Sequence, residues 1–328
     1  METAVPLQTA PEEPTPSPFI PGTYIQYAWD STSLGWLKTC PRLYQYSQIE
    51  GWRSKSESVH LRFGIEYHQT LQDYQILRLE GLSHNDALSG TIRDLLERTR
   101  EWKPDHKYKN REILVRTAIW YLDKYENDPA STYILSDGRP AVEVSFRFEL
   151  DYGPMTDLPV VVGGTDGIES AERQPYIICG HLDRIVNFGG DTYVMDHKTT
   201  STTPGDWYWN QWEPNNQMTL YTLASQVIFQ SPIKGVIIDL AQAAVDFSRF
   251  VRGFTYRTPD QIEEWLNDLR YWLAKAEDYA AEGYWPMNDT ACRNCQFREI
   301  CSKSPQVRQS FLESNFEKGE QWNPLAIR

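Results

Sequence analysis

The chain has 328 residues, of which 40% are hydrophobic and 13% aromatic, enough for one large globular domain or one domain with a helical annex. Its 45 acidic and 32 basic residues give a formal charge of −13, which argues against a broad basic surface for nucleic acid. A phosphate-binding surface would therefore be local or supplied by a metal ion. The sequence has no long apolar run and no basic-then-apolar N-terminal signal, which predicts no membrane partner and a cytoplasmic location.

The first part of the chain is predicted to be helical. Residues 1–22 are rich in Pro, Thr and Glu and lack apolar periodicity, which indicates a flexible tail. Residues 23–130 form a predicted helical annex, in which apolar side chains three and four apart indicate amphipathic helices before any strand. The expected helices span residues 58–80, 83–102 and 107–125.

The second part, residues 131–304, alternates strand and helix patterns. Residues 141–150 alternate apolar and polar side chains, as a half-buried strand does, and residues 178–200 resemble a β-hairpin with a Gly-Gly turn. Further elements are a helix at 214–229, strands at 235–241 and 247–256, and a helix opened by Thr258-Pro259. The pattern predicts an α/β core with helices on both sides, followed by a polar tail over residues 305–328.

The predicted hairpin carries an unusual set of charges. Asp196 and Lys198 are two apart on one strand and project to the same face. A reversal at Gly189-Gly190 would place Asp183 roughly opposite Asp196 on the returning strand, within a residue of register. Two carboxylates and an ammonium would then converge. The alternative is an ion pair on a solvated sheet face.

Converging carboxylates suit phosphate chemistry. Mg²⁺ and Mn²⁺ take oxygen ligands, and two carboxylates with substrate phosphate oxygens are a usual way to hold them. Lys198 could then orient a water molecule or offset charge on the phosphate. Gln217 and Tyr221, four apart on a predicted helix, could position the substrate or Lys198, although such pairs are usually surface and core residues. His68 lies on a predicted helix, where a lone histidine is more often structural than a ligand.

The order of these motifs resembles a known family. G-H-L-D ending at Asp183, D-H-K ending at Lys198 and Q-M-T-L-Y ending at Tyr221 follow the helical His68. Over residues 31–301 this order resembles the PD-(D/E)XK nuclease superfamily in its RecB-type exonuclease form. The resemblance implies a mixed central sheet of the restriction-endonuclease-like core. It also implies the roles of five groups: metal ligation by His68, Asp183, Asp196 and the main-chain carbonyl of His197, and catalysis by Lys198.

Gln217 and Tyr221 match the family's Gln-x-x-x-Tyr motif and join the expected catalytic set. Glu143, on the strand before the hairpin, also stands where relatives often have a glutamate. A solvent-facing strand residue is the interpretation that its strand pattern favours.

The five cysteines favour metal ligation in a reducing compartment over a disulfide framework, because they are odd in number and cluster near the end. Cys292, Cys295 and Cys301 could be three ligands of zinc or of an iron–sulfur cluster, with Cys40 as the fourth. This set resembles the family's iron–sulfur branch, which includes CRISPR-adaptation nucleases and the nuclease subunit of some helicase–nucleases and carries a [4Fe-4S] cluster. Zinc remains the alternative. Cys179 is expected to be a buried strand residue.

An aromatic loop, D-W-Y-W-N-Q-W-E-P-N-N at residues 206–216, precedes the Gln217 helix. Its tryptophans could stack on unpaired bases, or they could pack the loop onto the core.

Together these features predict a metal-dependent DNA nuclease, acting as an exonuclease in recombination, repair or phage DNA metabolism. The alternatives are a DNA-binding or assembly subunit with a vestigial site, and, less well supported, an enzyme for small phosphoesters. No GxxxxGK[ST] loop occurs, so ATP-driven unwinding would come from a helicase or recombination partner. The expected substrate is DNA with single-stranded regions or ends.

Overall fold

The computed structural model describes residues 16–150, 175–229 and 232–326. Residues 1–15 of the predicted N-terminal tail and residues 327–328 of the predicted C-terminal tail lie outside the described residues. The end of the first tail folds back on the chain, because the carbonyl oxygen of Pro18 accepts the main-chain N–H of Tyr27 at 2.8 Å.

The described part contains groups of successive helices and groups of successive strands. The helices are α1 (Ser31–Thr39), α2 (Pro41–Tyr44), α3 (Val59–Leu79), α4 (His84–Arg98), α5 (Arg111–Lys124), α6 (Asp206–Asn210), α7 (Asn216–Phe229), α8 (Pro259–Glu282), α9 (Arg298–Cys301) and α10 (Arg308–Asn315). The strands are β1 (Ala28–Trp29), β2 (Trp52–Ser54), β3 (Ser131–Thr132), β4 (Val142–Glu149), β5 (Ile177–Phe188), β6 (Asp191–Thr200), β7 (Ile233–Ala243), β8 (Ser248–Thr255) and β9 (Phe316–Lys318). None of the described helices is both long and apolar enough to cross a membrane.

Local sequence accounts for the helix boundaries. The side chains of Ser58 and Asn110 accept main-chain N–H groups of the first turns of α3 and α5, at 3.3 and 3.0 Å. The predicted capping box of α8 is present, since Thr258 and Gln261 bond each other's main-chain N–H groups. The three predicted annex helices are therefore confirmed, with ends shifted by a few residues.

The core is a mixed sheet. In the described part, seven strands join in the order β1-β5-β6-β7-β8, with β3 and β4 also paired to β5. The β1–β5 and β6–β7 pairs are parallel, and the remaining pairs of this sheet are antiparallel. At the β5–β6 turn, Gly189 and Gly190 have φ values of 61° and 92°, the left-handed conformation that a tight hairpin requires at both central positions. The predicted α/β class is confirmed.

Helices cover both faces of this sheet. On one face, buried side chains of α3, α4 and α5 form one apolar cluster with Ala241, Ala243 and Phe250 of β7 and β8. On the other face, α1, α7 and α8 pack into the main core. The annex is therefore fused to the sheet, because its apolar side chains bury against the strands.

Two expectations are corrected. β1 and β2 precede the annex helices, so the annex is not purely helical, and β1 belongs to the central sheet. Residues 305–326 are not a tail, because they contain α10 and β9 and bury Leu312 and Phe316. β9 pairs with β2 from the other end of the chain, and short strands whose partner is so distant leave little local signal.

Candidate active site

The hairpin brings its two acids together where its strands stop pairing. The last residue pair between β5 and β6 is Arg184 with Met195, so Asp183 and Asp196 lie just beyond it. The main-chain N–H of His197 has no main-chain partner on β5 there, and it donates instead to the Asp183 side chain, 2.9 Å from Oδ2. The opposed placement expected from the sequence is therefore present, and the Asp183 side chain closes the gap between the diverging strands.

Asp196 and Lys198 share one face of β6, as their spacing predicts. The Lys198 ammonium lies 2.6 Å from Asp196 Oδ2, and the Asp196 side chain is only 1% exposed. Burial raises the pKa of Asp196 to about 6, although Lys198 works in the opposite direction. The ring of Trp212 lies 5.8 Å from Lys198 Nζ, within reach of a cation–π contact. This lysine is therefore held between a carboxylate and an indole.

α3 delivers His68 to the same place. His68 Nδ1 lies 3.3 Å from Asp183 Oδ2. Burial lowers the pKa of His68 to about 4, so its imidazole is neutral at pH 7 and has a lone pair available. Burial alone would raise the pKa of Asp183, but the Lys198 ammonium and the hydrogen bond from the His197 main-chain N–H oppose it, and that pKa lies below its usual value. The site thus contains two ionised carboxylates, an ammonium and a neutral imidazole.

α7 brings the predicted Gln217–Tyr221 pair to the carboxylates. The Gln217 amide donates to the Tyr221 hydroxyl at 2.9 Å. Burial, together with the charges of Asp196 and Asp183, raises the pKa of Tyr221 well above its usual value, so this hydroxyl stays protonated. An amide and a phenol are therefore fixed beside the acids.

Glu143 is half-buried and lines a cavity, whereas the sequence pattern indicated a solvent-facing strand residue. Its neighbours Val142 and Val144 pair with β5, but Glu143 itself is outside the ladder and has a φ of 48°. This left-handed conformation is costly for a residue with a side chain, about 1–3 kcal/mol, and such strain clusters at functional sites. Glu143 lines a small cavity beside the candidate site. The lining of this cavity includes His68, Gln72, Asp183 and His197. The sequence signal for a role of Glu143 was that similar proteins often have a glutamate at this place.

The glycine of the G-H-L-D motif, Gly180, is required for steric reasons. A Cβ at Gly180 would lie 2.8 Å from the Phe146 ring, closer than side-chain atoms pack. Glycine at position 180 therefore leaves room for the Phe146 ring of β4 against β5, three residues before Asp183.

The aromatic loop is mostly packed. Tyr208 and Trp212 are buried, and the Trp209 ring occupies the space that a Cβ at Gly253 would need. Trp207 is 59% exposed. Packing therefore explains most of the loop, and Trp207 is the tryptophan of this loop that remains available for base stacking.

The four candidate ligand cysteines converge from the two ends of the chain. Cys40, Cys292, Cys295 and Cys301 line one cavity of about 10 Å³, and the main-chain N–H of Asn288 donates to Cys40 Sγ at 3.3 Å. All five cysteines are free of disulfide bonds, and Cys179 is buried in β5 as expected. Within residues 16–150, 175–229 and 232–326, no group of three or more His, Cys, Asp or Glu side chains is arranged so that it could hold a metal ion.

Comparison with known proteins bears on the fold and on the family. Seventeen solved chains were matched by structural comparison. One is a crystal structure from Eubacterium rectale named "Putative exonuclease", with a TM-score of 0.50 and 11% identity over 85% of this chain and 89% of that one, which shows a shared fold. Another is SSO0001, with a TM-score of 0.32 and 15% identity over 84% of this chain and 86% of that one, too low a score to bear on the fold. No curated protein sequence matches. The family model of the PD-(D/E)XK nuclease superfamily matches residues 31–302, and the chain therefore belongs to that superfamily.

Proposed function

We propose that this chain is a divalent-metal-dependent deoxyribonuclease that acts as an exonuclease. The observation that carries the proposal is the convergence of His68, Asp183, Asp196 and Lys198 where β5 and β6 diverge. These groups come from a helix and two strands, and each is at least partly withdrawn from solvent. The alternative, an ion pair on a solvated sheet face, would leave these side chains exposed to solvent.

The donor chemistry fits a hard divalent cation. Two carboxylates that are ionised at pH 7 and a neutral imidazole suit Mg²⁺ or Mn²⁺, although the side chains are not arranged around one point. His68, Asp183, Asp196 and the main-chain carbonyl of His197 would hold the ion. When bound, such an ion supplies positive charge for the scissile phosphate and lowers the pKa of water.

The protein's own groups account for orientation and charge. Lys198 would hold the attacking water molecule and offset negative charge that builds on the phosphate. The Tyr221 hydroxyl and the Gln217 amide, which bond each other on α7, are hydrogen-bond donors that would fix the DNA backbone. Glu143 adds a further carboxylate next to His68 and Asp183.

Exonuclease action on DNA with single-stranded regions or ends is supported by the exposed Trp207, since unpaired bases stack on exposed aromatic rings. The structural neighbour from Eubacterium rectale is likewise named as an exonuclease. We propose recombination, repair or phage DNA metabolism as the setting, with a helicase or recombination protein as partner.

Digestion of end-labelled linear and covalently closed circular DNA with Mg²⁺ or Mn²⁺ tests this function. We expect the parent to degrade linear DNA from its ends and Lys198→Ala to be slower by about 10²–10³-fold or more. Lys275→Ala is the matched control, because Lys275 also pairs with an aspartate, Asp278, at 2.9 Å, but on the exposed side of α8. It should cut at the parent's rate.

Three results would count against parts of the proposal. Cutting of circular DNA would replace exonuclease by endonuclease, and undiminished cleavage by Lys198→Ala would reject the assigned site. A parent that binds DNA without cutting it with either ion would favour a DNA-binding or assembly subunit with a vestigial site.

We also propose that Cys40, Cys292, Cys295 and Cys301 bind a [4Fe-4S] cluster, with zinc as the alternative. The support is that thiols from both ends of the chain line one cavity. Burial raises the pKa of the Cys295 and Cys301 thiols, and a coordinated metal would reverse this by stabilising the thiolates. A small apolar core around Trp52, Phe297 and Phe316 packs beside them.

The cluster would act as a clip rather than in hydrolysis, because it joins the two ends of the chain and its ligands would be fully used. A reducing compartment such as the cytoplasm suits it, since free thiols persist there.

A further inference from the structure

A buried row of charged side chains crosses the sheet on the face opposite Asp196 and Lys198. Neighbouring strands place its members side by side, because His197 of β6 is in register with Asp239 of β7, and Asp239 with Arg252 of β8. We call this set the buried charged row. Its members are His197, Asp239, Arg252, Asp128 and Arg184.

Contacts run along the whole row. His197 Nδ1 lies 3.3 Å from Asp239 Oδ2, and Arg252 Nε lies 3.3 Å from Asp239 Oδ1. Arg252 also holds Asp128 with two nitrogens, at 2.6 and 2.8 Å. Arg184 reaches Asp128 at 3.4 Å. Two carboxylates and two guanidinium groups therefore balance in charge beside His197.

Helix α5 of the annex packs over this row and shields it from solvent. The Tyr121 hydroxyl of α5 donates to Asp239 Oδ2, the same oxygen that His197 faces. The Tyr125 ring, one turn further along α5, lies 4.1 Å from the Arg252 guanidinium. Asp239 is 1% exposed and His197 6%, so the row is desolvated.

His197 connects this row to the candidate metal ligands and to Lys198. Its main-chain N–H fixes Asp183, and its chain neighbours are Asp196 and Lys198. Its ring lies edge-on to the His68 ring, with 5.9 Å between centroids. β6 has no further residue pair with β5 at this point but stays paired with β7, and the contact of the His197 side chain with Asp239 adds a side-chain link between β6 and β7 there.

Stability alone is a poor reason for such a row. A buried ion pair gains little over apolar residues of similar volume, because desolvation offsets the Coulomb attraction, and its better-attested use is to fix one geometry. Here the geometry it fixes is the diverging end of β6.

We propose that His197 is a positioning residue of the nuclease site, held by Asp239, Tyr121 and Arg252, and that it sets the placement of Asp183, Asp196, Lys198 and His68. This inference rests on the proposed function and adds to it residues that do not touch the substrate. Partners that orient metal ligands in this way typically contribute 10–100-fold to metal affinity or activity.

The test compares His197→Leu, which replaces the imidazole by an apolar side chain, with His197→Gln, which keeps an N–H donor. For His197→Leu we expect kcat to fall about 10–100-fold, with KM for DNA unchanged and the Mn²⁺ dissociation constant, measured by calorimetry, raised by a similar factor. His197→Gln should recover part of both losses. A purely structural role would lower only the melting temperature and the yield of folded protein.

A folded His197→Leu protein with the parent's kcat and Mn²⁺ affinity would overturn the inference. If His197→Leu does not fold, Tyr121→Phe removes one hydroxyl from the row, with Tyr125→Phe as the matched control on the same helix. Tyr121→Phe should lower kcat and Mn²⁺ affinity while Tyr125→Phe does not, and equal behaviour would overturn the inference. A parent that does not cut DNA would reject the proposed function, whereas the Mn²⁺ titration would still test the row.

Discussion

A buried lysine in the annex gives a quantitative prediction about stability. Lys109 is 2% exposed, and its ammonium lies 4.0 Å from the centroid of the Phe63 ring. Within the described residues, Lys109 Nζ has no hydrogen-bond partner. Burial lowers the pKa of Lys109 from 10.5 to about 7. The substitution Lys109→Met removes the charge and keeps a side chain of similar length in the apolar cluster.

The sign follows from proton counting. Between the folded pKa of about 7 and the unfolded value of 10.5, the unfolded chain binds more protons than the folded one, so stability rises with pH. At pH 7 the difference between the two pKa values corresponds to about 3 pKa units, or about 4 kcal/mol of destabilisation of the folded state. This destabilisation is absent in Lys109→Met. At pH 9 the same calculation leaves about 2 kcal/mol.

Urea unfolding of parent and Lys109→Met at pH 7 and pH 9 measures both quantities. We expect Lys109→Met to have the larger free energy of unfolding at pH 7, with an advantage that shrinks by about 2 kcal/mol at pH 9. Lys107→Met is the control, because Lys107 is exposed two residues away. An advantage that is absent at pH 7, or equal at the two pH values, would refute the assignment of a desolvated ammonium.

Two further predictions concern substrate and cofactor. Trp207→Ala should raise KM for single-stranded DNA about fivefold or more with little change in kcat, since a stacked base contributes about 1–3 kcal/mol. Trp120→Ala, which removes a 43% exposed tryptophan packed on Arg116, should leave KM unchanged, and equal KM values for both variants would exclude stacking on Trp207. Cys40→Ser should bleach a brown protein and lower its free energy of unfolding by up to about 5 kcal/mol, because the clip closes a loop of about 250 residues. Iron, sulfide and zinc analysis of anaerobically purified protein, with Cys179→Ala as the control, separates the outcomes: one bound zinc rejects the iron–sulfur cluster, and no metal with an unchanged melting temperature rejects the clip.

Local patterns in the sequence were sufficient for the central hairpin and the helices around it. The Gly189-Gly190 turn and the alternation of the strands fix the register within a few residues of the turn, so the placement of Asp183 opposite Asp196 is predictable. The caps and apolar spacing of α3, α5 and α8 are likewise contained in short segments. The superfamily follows from the order of such segments.

Long-range contacts account for what the sequence did not reveal. Glu143 reads as an ordinary strand residue, and its left-handed conformation arises where β4 meets β5. β9 is three residues long and is stable only beside β2. In the sequence, Asp239 is a single acid within an apolar strand. Its pairing with His197 and Arg252 depends on the register of three strands. Sequence pattern reports which face of an element is apolar, because that follows from the periodicity of a short segment. Which polar side chains meet on a buried face depends on contacts between residues far apart in the chain, and these exist only after the elements have packed.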